Sequence, residues 1–594
     1  MPRLPLAALA LAAVVVGCGG ARAPWRIATA DDATRRTTTA GDVVGGAARA
    51  PGAVAWLGIP YAAPPVGERR WRAPAPPAPW SGVRRALAFG DACPQNTSPF
   101  GGVEGPAGTI VGDEDCLTLN VWAPADATPA SRLPVMFWIH GGGNTVGAAP
   151  FYDGARLAAD QRVIVVTAQY RLGPFGWFRH PALAAGGTPA EASGDFAVLD
   201  LVQALGWVRD NATAFGGDPG RVTIFGESAG GANVYLLLLS PLSRGLFQRA
   251  IVESGGLWSS STSEATDPPG ASPPGQAQSS TEIVRRLLAR HGDPDAAARA
   301  TAADDGLAAW LRRQPAREIV AAYEPLPSGM IDMPRAIRDG VVLPARGFLE
   351  HLERPDGWNR VPVMAGTNRD EWRVFLFGEP GRITRRLWIL PRFVDEPSYL
   401  ASADAVSRMW KAVGADEPAD AMTRAGAPVW VYRFDWHDEP TVLGADLSKM
   451  LGAAHGFEIP FVFGHFDLGS QADAIFTSAN APAREELSAT MRRAWAAFAR
   501  AGVPDPAWPA WRGDAPAGIV LDIPADGGVR PEPGRLTRAA VLAGVAHDPR
   551  LDGPRARCRV LRELAAWGRG FTRADYDARP DCSAFPWAGY PWAG

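Results

Sequence analysis

Compact apolar runs rich in β-formers alternate along this chain with stretches whose apolar residues recur at helical spacing. Leu133 to Ile139, Val163 to Tyr170 and Val222 to Phe225 are runs of the first kind, short and nearly unbroken, as strands buried on both faces of a parallel sheet must be. Between the last two, Ala197 to Val208 carries its apolar residues at helical spacing, and after Gly230 the stretch Ala232 to Leu239 does so again. The order strand, helix, strand, helix predicts an α/β fold with a central, mostly parallel sheet flanked by helices. Ser259 to Ser280 is dense in Ser, Pro, Gly and Thr, yet strand signals resume at Val361 to Ala365. That segment therefore reads as a surface excursion, and the chain as one large domain with loop insertions.

The two ends depart from this pattern. Arg3 precedes an apolar run from Leu4 to Val16 followed by Gly17-Cys18; the run is too short to span a bilayer as a mature helix and has the layout of a signal peptide over residues 1–17. Val15-Val16-Gly17-Cys18 also has the form of a bacterial lipobox, in which Cys18 is acylated and becomes the mature N-terminus. An ordinary signal peptide with a cysteine near its cleavage site is the alternative. The lipobox reading makes the protein an exported bacterial lipoprotein, at the periplasm, outer membrane or cell surface, touching the membrane through its lipid anchor alone. Gly19 to Ala40 is small and polar without apolar period, so 18–40 is expected to be a flexible tether. The folded body is expected over 41–526 and a C-terminal extension with its own cysteine pair over 527–594.

Composition narrows the function classes. Hydrophobic residues make up 47% of the 594 and charged residues 20%, enough apolar material for a large core. The net charge of −3 provides no basic surface for phosphates, and no zinc-finger, RNA-motif or basic-helix pattern occurs, so nucleic acid is not an expected partner. No His-Glu-x-x-His or comparable ligand cluster appears, and neither a metal nor another cofactor is expected.

Candidate chemistry is concentrated in two glycine-rich turns. Gly226-Glu227-Ser228-Ala229-Gly230 follows a predicted strand and opens a predicted helix, the context of a nucleophile elbow, in which a Cβ at either flanking glycine would strike the neighbouring elements. In a chain with 66 glycines the five-residue pattern is weak by itself, and the strand–helix context gives it weight. His140-Gly141-Gly142-Gly143 directly follows the strand ending at Ile139, so bare backbone N–H groups can approach a substrate oxygen. Gly142, Gly143 and Ala229 are the expected oxyanion-hole donors. A flexible glycine turn or a phosphate cradle are the other readings of that loop; no Gly-Lys-Ser/Thr ending supports the latter.

With these stretches stand Gly58-Ile59-Pro60-Tyr61-Ala62, Pro64-Pro65-Val66-Gly67, Glu114-Asp115-Cys116-Leu117-Thr118-Leu119-Asn120, Tyr170-Arg171-Leu172-Gly173, Phe215-Gly216-Gly217-Asp218-Pro219 and Asp339-Gly340 with Pro344. In this ordered set, from about Val43 to Trp511, the chain resembles the type-B carboxylesterase and cholinesterase family of α/β-hydrolases. The resemblance implies an α/β-hydrolase fold and a serine hydrolase. It identifies His455, in His455-Gly456-Phe457-Glu458, as the general base and Glu371, in Gly366-Thr367-Asn368-Arg369-Asp370-Glu371, as its acid partner. Trp372 stands where the family usually has a glycine, which keeps Asp370 as the other candidate acid. The order Ser228, Glu371, His455 is that of the fold.

The resemblance further implies a Cys93–Cys116 disulfide, leaving Cys558 and Cys582 to pair once Cys18 is set aside. It implies that Arg70 pairs with Glu114 and Arg171 with Asp200 as scaffold, and that Glu227 and Ser254 support the nucleophile without reacting. The expected function is hydrolysis of small-molecule carboxylic esters through an acyl-enzyme. Amidase, lactonase or thioesterase action uses the same triad, and adhesion proteins that share the fold without catalysis are the alternative from another class. Choline esters are not the expected substrates, since the loop from Cys93 to Cys116 carries one aromatic, Phe100, and no Trp to face a quaternary ammonium; the alternative is that another tryptophan, such as Trp258 close after Ser254, folds over the site. The sequence leaves the oligomeric state open.

Overall fold

Along Leu133–Ile139, Val135, Phe137 and Ile139 enter one apolar cluster while Met136 and Trp138 enter another. That period of two is the mark of a strand covered by helices on both faces. The computed structural model describes residues 25–99, 103, 105, 106, 108–379, 381–386, 390–467 and 470–587. Within these residues the main sheet has eleven strands. In chain order they are β1 (Gly46–Ala47), β2 (Ala53–Pro60), β3 (Thr118–Pro124), β4 (Leu133–Ile139), β5 (Ile164–Ala168) and β6 (Gly217–Glu227), then β7 (Arg249–Glu253), β8 (Val363–Asn368), β9 (Val429–Phe434), β10 (Ala517–Leu521) and β11 (Arg530–Pro533).

The spatial order is β11-β10-β9-β8-β7-β6-β4-β5-β3-β2-β1. Strands β4 to β10 run parallel, and antiparallel strands close both edges. Helices α1 (Phe196–Asn211) and α2 (Ala229–Leu239) cover one face through Leu201, Leu205, Leu236 and Leu237; the helix Ala481–Ala501 covers the other through Met491, Trp495 and Phe498. This is the expected α/β-hydrolase architecture in one domain. The antiparallel edges escaped the sequence reading because β1 to β3 and β11 have no helical crossover to announce them.

Two boundaries need correction. The tether expected over 18–40 is ordered from Trp25 onward: Ile27 is buried and donates to Leu87 O at 2.8 Å, and Trp56 Nε1 donates to Thr34 O at 2.8 Å. Isolated apolar anchors such as Trp25 and Ile27 produce no periodicity, which is why composition alone suggested a tether. The signal peptide and Cys18 lie outside the described residues. The body also does not end at 526, because β11 pairs with β10 from Ala517↔Pro533 to Val520↔Arg530.

Beyond β11 the extension forms helices that dock on α3 (Glu396–Lys411), chiefly α4 (Arg538–Ala546) and α5 (Gly553–Trp567). Ala405, Val406 and Met409 of α3 pack with Val541, Val545, Leu561 and Leu564 in a cluster separate from the two sheet cores. Cys558 and Cys582 are disulfide-bonded there, and Cys93 is bonded to Cys116. Both pairings agree with the sequence.

The two scaffold ion pairs are also in place. Arg70 Nε lies 2.7 Å from Glu114 Oε1, and Arg171 grips Asp200 with Nε and Nη2 at 2.8 and 2.7 Å, both partners buried. Burial raises the Asp200 carboxyl, against the pull of Arg171. Asp200→Ala therefore strands a buried guanidinium and is expected to destabilise the fold by about 3–5 kcal/mol. Chemical-denaturation midpoints measure this, and equal midpoints for the two proteins contradict it.

Candidate active site

The strand–helix turn at the end of β6 is as tight as its glycines require. Ser228 sits at φ 58° and ψ −121°, in the left-handed half of the map that a non-glycine residue rarely occupies. A Cβ on Gly226 would lie 2.5 Å from Ile139 O, and one on Gly230 only 1.9 Å from the same oxygen. Both glycines are thus forced by the approach of β4. The Ser228 N–H donates to Glu253 O at 2.9 Å, which pins the turn to β7 and leaves the side chain half-buried at the sheet's carboxyl edge.

Across from it, β4 ends in the glycine loop. Gly142 and Gly143 have φ of 93° and 63°, and a Cβ on Gly142 would lie 2.1 Å from Val146 O. The N–H groups of Gly142, Gly143 and Ala229 donate to no protein acceptor among the described residues. Three unfilled donors near a nucleophile's turn are what an oxyanion needs.

His455 Nδ1 lies 2.6 Å from Glu371 Oε2, and the other oxygen of Glu371 accepts from Asn368 N–H at 2.8 Å. Asp370 does not share this role: it is buried against Arg369 and Arg373 at 2.8 and 2.9 Å and accepts from Ala453 N–H. Of the two candidate carboxylates, Glu371 is the one at the imidazole. The His455 Nε2 lies 3.1 Å from Glu227 Oε1 without hydrogen-bond alignment. No Ser228–His455 hydrogen bond is formed among the described residues, as is common before substrate tightens a site.

Acidic groups crowd this histidine. Burial raises Glu227 to about 7 and Glu253 to about 8, and Glu458 is pushed well up by burial and by its acidic neighbours. Ser254 Oγ and Asn368 Nδ2 both donate to Glu458, and Trp495 Nε1 donates to Glu253 at 2.7 Å. Burial pulls the His455 imidazole down, but the carboxylates of Glu227 and Glu371 outweigh it and the net shift is upward.

These elements can be set beside known proteins. The model of the carboxylesterase family matches residues 32–386 and 394–525. The chain belongs to the carboxylesterase family. It is 35% identical to the para-nitrobenzyl esterase of Bacillus subtilis over 493 residues, covering 79% of this chain and 91% of that protein. Against the fumonisin B1 esterase of Sphingopyxis macrogoltabida the identity is 36%, over 76% and 79% of the two chains. Among solved structures, a para-nitrobenzyl esterase superposes with a TM-score of 0.65 at 32% identity, over 84% of this chain and 97% of the other. A Geobacillus stearothermophilus carboxylesterase gives 0.63, also at 32%, over 84% and 98%.

This carboxylesterase also has an aromatic wall of which the sequence points only to Trp258, close after Ser254. The Trp410 ring lies tilted against His455 with centroids 4.7 Å apart, and Trp258, Phe375 and Trp567 extend the aromatic wall. Trp258 thus stands at the site, though its face is covered by the Arg569 guanidinium at 3.6 Å, so a quaternary ammonium would meet a like charge there. Phe100 lies outside the described residues. No spacing rule links residues 258, 410 and 567. One group, His437, Asp522 and Asp526, brings ligand atoms within 4.8 Å of one another among the described residues; Nδ1 of its histidine already faces Asp435 O at 2.8 Å.

The raised His455 has a consequence for the pH profile. With His455 as the general base, a protonated imidazole could not accept the serine proton, and activity is expected to be lost as pH falls through the folded-state pKa, which lies above the ordinary 6.5. Glu227, raised to about 7, lies beside Nε2, and the profile belongs to the pair. The kcat/KM for a neutral activated ester is expected to reach half its plateau above pH 6.5. Glu227→Gln should lower that midpoint by removing a negative charge beside Nε2. A wild-type midpoint at or below 6.5, or an unmoved one in the variant, contradicts this.

Proposed function

We infer that this carboxylic-ester hydrolase works through Ser228 as nucleophile, His455 as general base and Glu371 as the carboxylate that orients it. The observation carrying this reading is the strained Ser228 turn facing a histidine whose Nδ1 is held 2.6 Å from a buried glutamate. A serine hydroxyl is too weak an acid to ionise near neutrality. His455 Nε2 takes its proton as Oγ attacks the ester carbonyl, and the oxygen that becomes negative is met by the N–H groups of Gly142, Gly143 and Ala229. The imidazolium then protonates the departing alkoxide, leaving an acyl-serine and free alcohol. Water, deprotonated by the same His455, attacks the acyl carbonyl; as this second tetrahedral intermediate collapses the C–Oγ bond breaks, the imidazolium returns the proton to Ser228 Oγ, and the carboxylic acid is released.

Ester cleavage is favoured over amide cleavage because an alkoxide leaves more easily than an amine anion. The adhesion alternative is disfavoured, as every position of the triad and the oxyanion loop is filled. The test is a panel of esters varied separately in acyl and alcohol group, given to the purified chain. Turnover of short neutral esters supports the reading, and no turnover across the panel contradicts it.

The same proposal extends to location. The Leu4 to Val16 run, the Cys18 lipobox and the two disulfides, which persist in oxidising compartments, support an exported lipoprotein held by acyl chains. Among the described residues no helix is long and apolar enough to cross a membrane. Cys18→Ala is expected to move the protein from the membrane pellet to the soluble fraction. A variant that still sediments at high salt contradicts the anchor.

A further inference from the structure

The matched family segment ends at 525, so the helical extension beyond β11 lies outside it. It is fastened where it meets the site. Glu563 of α5 is buried, accepting from Trp372 Nε1 at 3.2 Å and from Arg382 Nη2 at 2.6 Å. Trp372 is the residue that replaces the glycine expected after the acid, so this departure from the family's pattern is the one the extension holds. That contact sets the end of α5 on the aromatic wall: the Trp567 ring lies 5.4 Å from Trp410, which lies 4.7 Å from His455.

Two residues further on, the Arg569 guanidinium stacks 3.6 Å from the centroid of Trp258 and 5.5 Å from that of Trp567. Among the described residues it makes no hydrogen bond and no ion pair. Burial and the charge of Arg335 lower it to about 9, so it stays cationic near neutrality, and its field reaches His455 as well. Arg335 stands at the glycine loop, donating to Gly143 O at 2.6 Å, and its nearest acid is the exposed Asp332 at 3.9 Å. A half-buried cation held flat by aromatic rings, with its donor edges unused, is poised for a planar anion that can accept two N–H groups together.

We propose that Arg569, carried to the site by the extension and assisted by Arg335, selects esters that bear a carboxylate on their acyl or alcohol part. The proposal rests on ester hydrolysis at Ser228. It makes the extension a specificity element and gives the Arg569-covered face of Trp258 a use: the wall that could have met a choline instead presents a positive charge.

The experiment measures kcat/KM of the full chain for two matched pairs. Phenyl hydrogen glutarate against phenyl valerate places the carboxylate on the acyl side; 4-carboxybenzyl against 4-methylbenzyl butyrate places it on the alcohol side. In at least one pair the anionic ester is expected to be preferred by at least about tenfold, through KM, with the preference shrinking as NaCl rises from about 20 mM to about 500 mM. Arg569→Gln should lower that anionic-to-neutral ratio by about tenfold, and Arg569→Lys should retain part of it. The ratio is internal to each protein, so a partly unfolded preparation does not distort it, and if Arg569→Gln does not fold the Lys variant and the salt dependence decide. A wild-type ratio below tenfold in both pairs, a ratio indifferent to salt, or one unchanged in Arg569→Gln overturns the proposal. Good turnover of the neutral esters with no anion preference defeats the proposal and leaves ester hydrolysis standing, whereas no hydrolysis of any of the four defeats both.

Discussion

Ser228→Ala is expected to lower kcat on 4-nitrophenyl butyrate by about 10⁶ while the fold survives, the loss found when the nucleophile of such triads is removed. The remainder comes from the oxyanion donors and from substrate positioning, which the substitution does not touch. The fold should survive for reasons visible at the turn. Ser228 is held by its backbone N–H to Glu253 O, and its hydroxyl donates to no protein group among the described residues. Removing Oγ therefore strands no buried partner, and alanine tolerates the observed φ of 58° about as well as serine does. Steady-state rates and thermal unfolding on the same preparation test both halves. Activity within a hundredfold of the wild type contradicts the nucleophile assignment, and a collapsed unfolding transition contradicts the account of the turn.

Glu371→Gln is expected to cost about 10⁴ in kcat, the penalty for presenting the base in the wrong tautomer. The geometry dictates which way the new amide turns. Asn368 N–H already donates to one carboxylate oxygen of Glu371 at 2.8 Å, so the amide oxygen of glutamine stays there and its NH₂ faces His455 Nδ1. Nδ1 must then accept, the ring proton moves to Nε2, and Nε2 can no longer take the proton of Ser228. A loss smaller than tenfold, measured at the pH plateau, contradicts this role for Glu371. Asp370→Asn should behave differently, because Asp370 is occupied by Arg369, Arg373 and the Ala453 N–H, and its loss is expected to appear in stability before rate.

Much of this was legible in the sequence, for physical reasons. Leu133 to Ile139 reads as a buried strand because both its faces are apolar, and it occupies those residues in the fold. Ser228 and the glycine loop were found because a strained turn and a close backbone approach each demand glycine at fixed offsets. His455 and Glu371 were different: no periodicity distinguishes one histidine among eight, and only the family resemblance pointed to them. The short edge strands were missed because they pair antiparallel without crossover helices. Ile27 and Trp25 read as part of a tether because two isolated anchors leave no pattern. Least legible were Trp410, Trp567 and Arg569, whose meeting at His455 is produced by docking of the extension on α3 and follows from no local rule.

Every other role at the site depends on Ser228 being the group that attacks the acyl carbon. A fluorophosphonate phosphonylates a serine, Oγ displacing fluoride at phosphorus, when a neighbouring base activates the hydroxyl and an oxyanion hole receives the phosphonyl oxygen. The decisive measurement is mass mapping of peptides from the full chain after reaction with such a probe, alongside residual esterase activity. One adduct per chain, on the peptide containing Ser228 and rising in step with the loss of activity, is the predicted result. Complete inactivation with the adduct on another residue, or an active enzyme that takes up no probe, would contradict it.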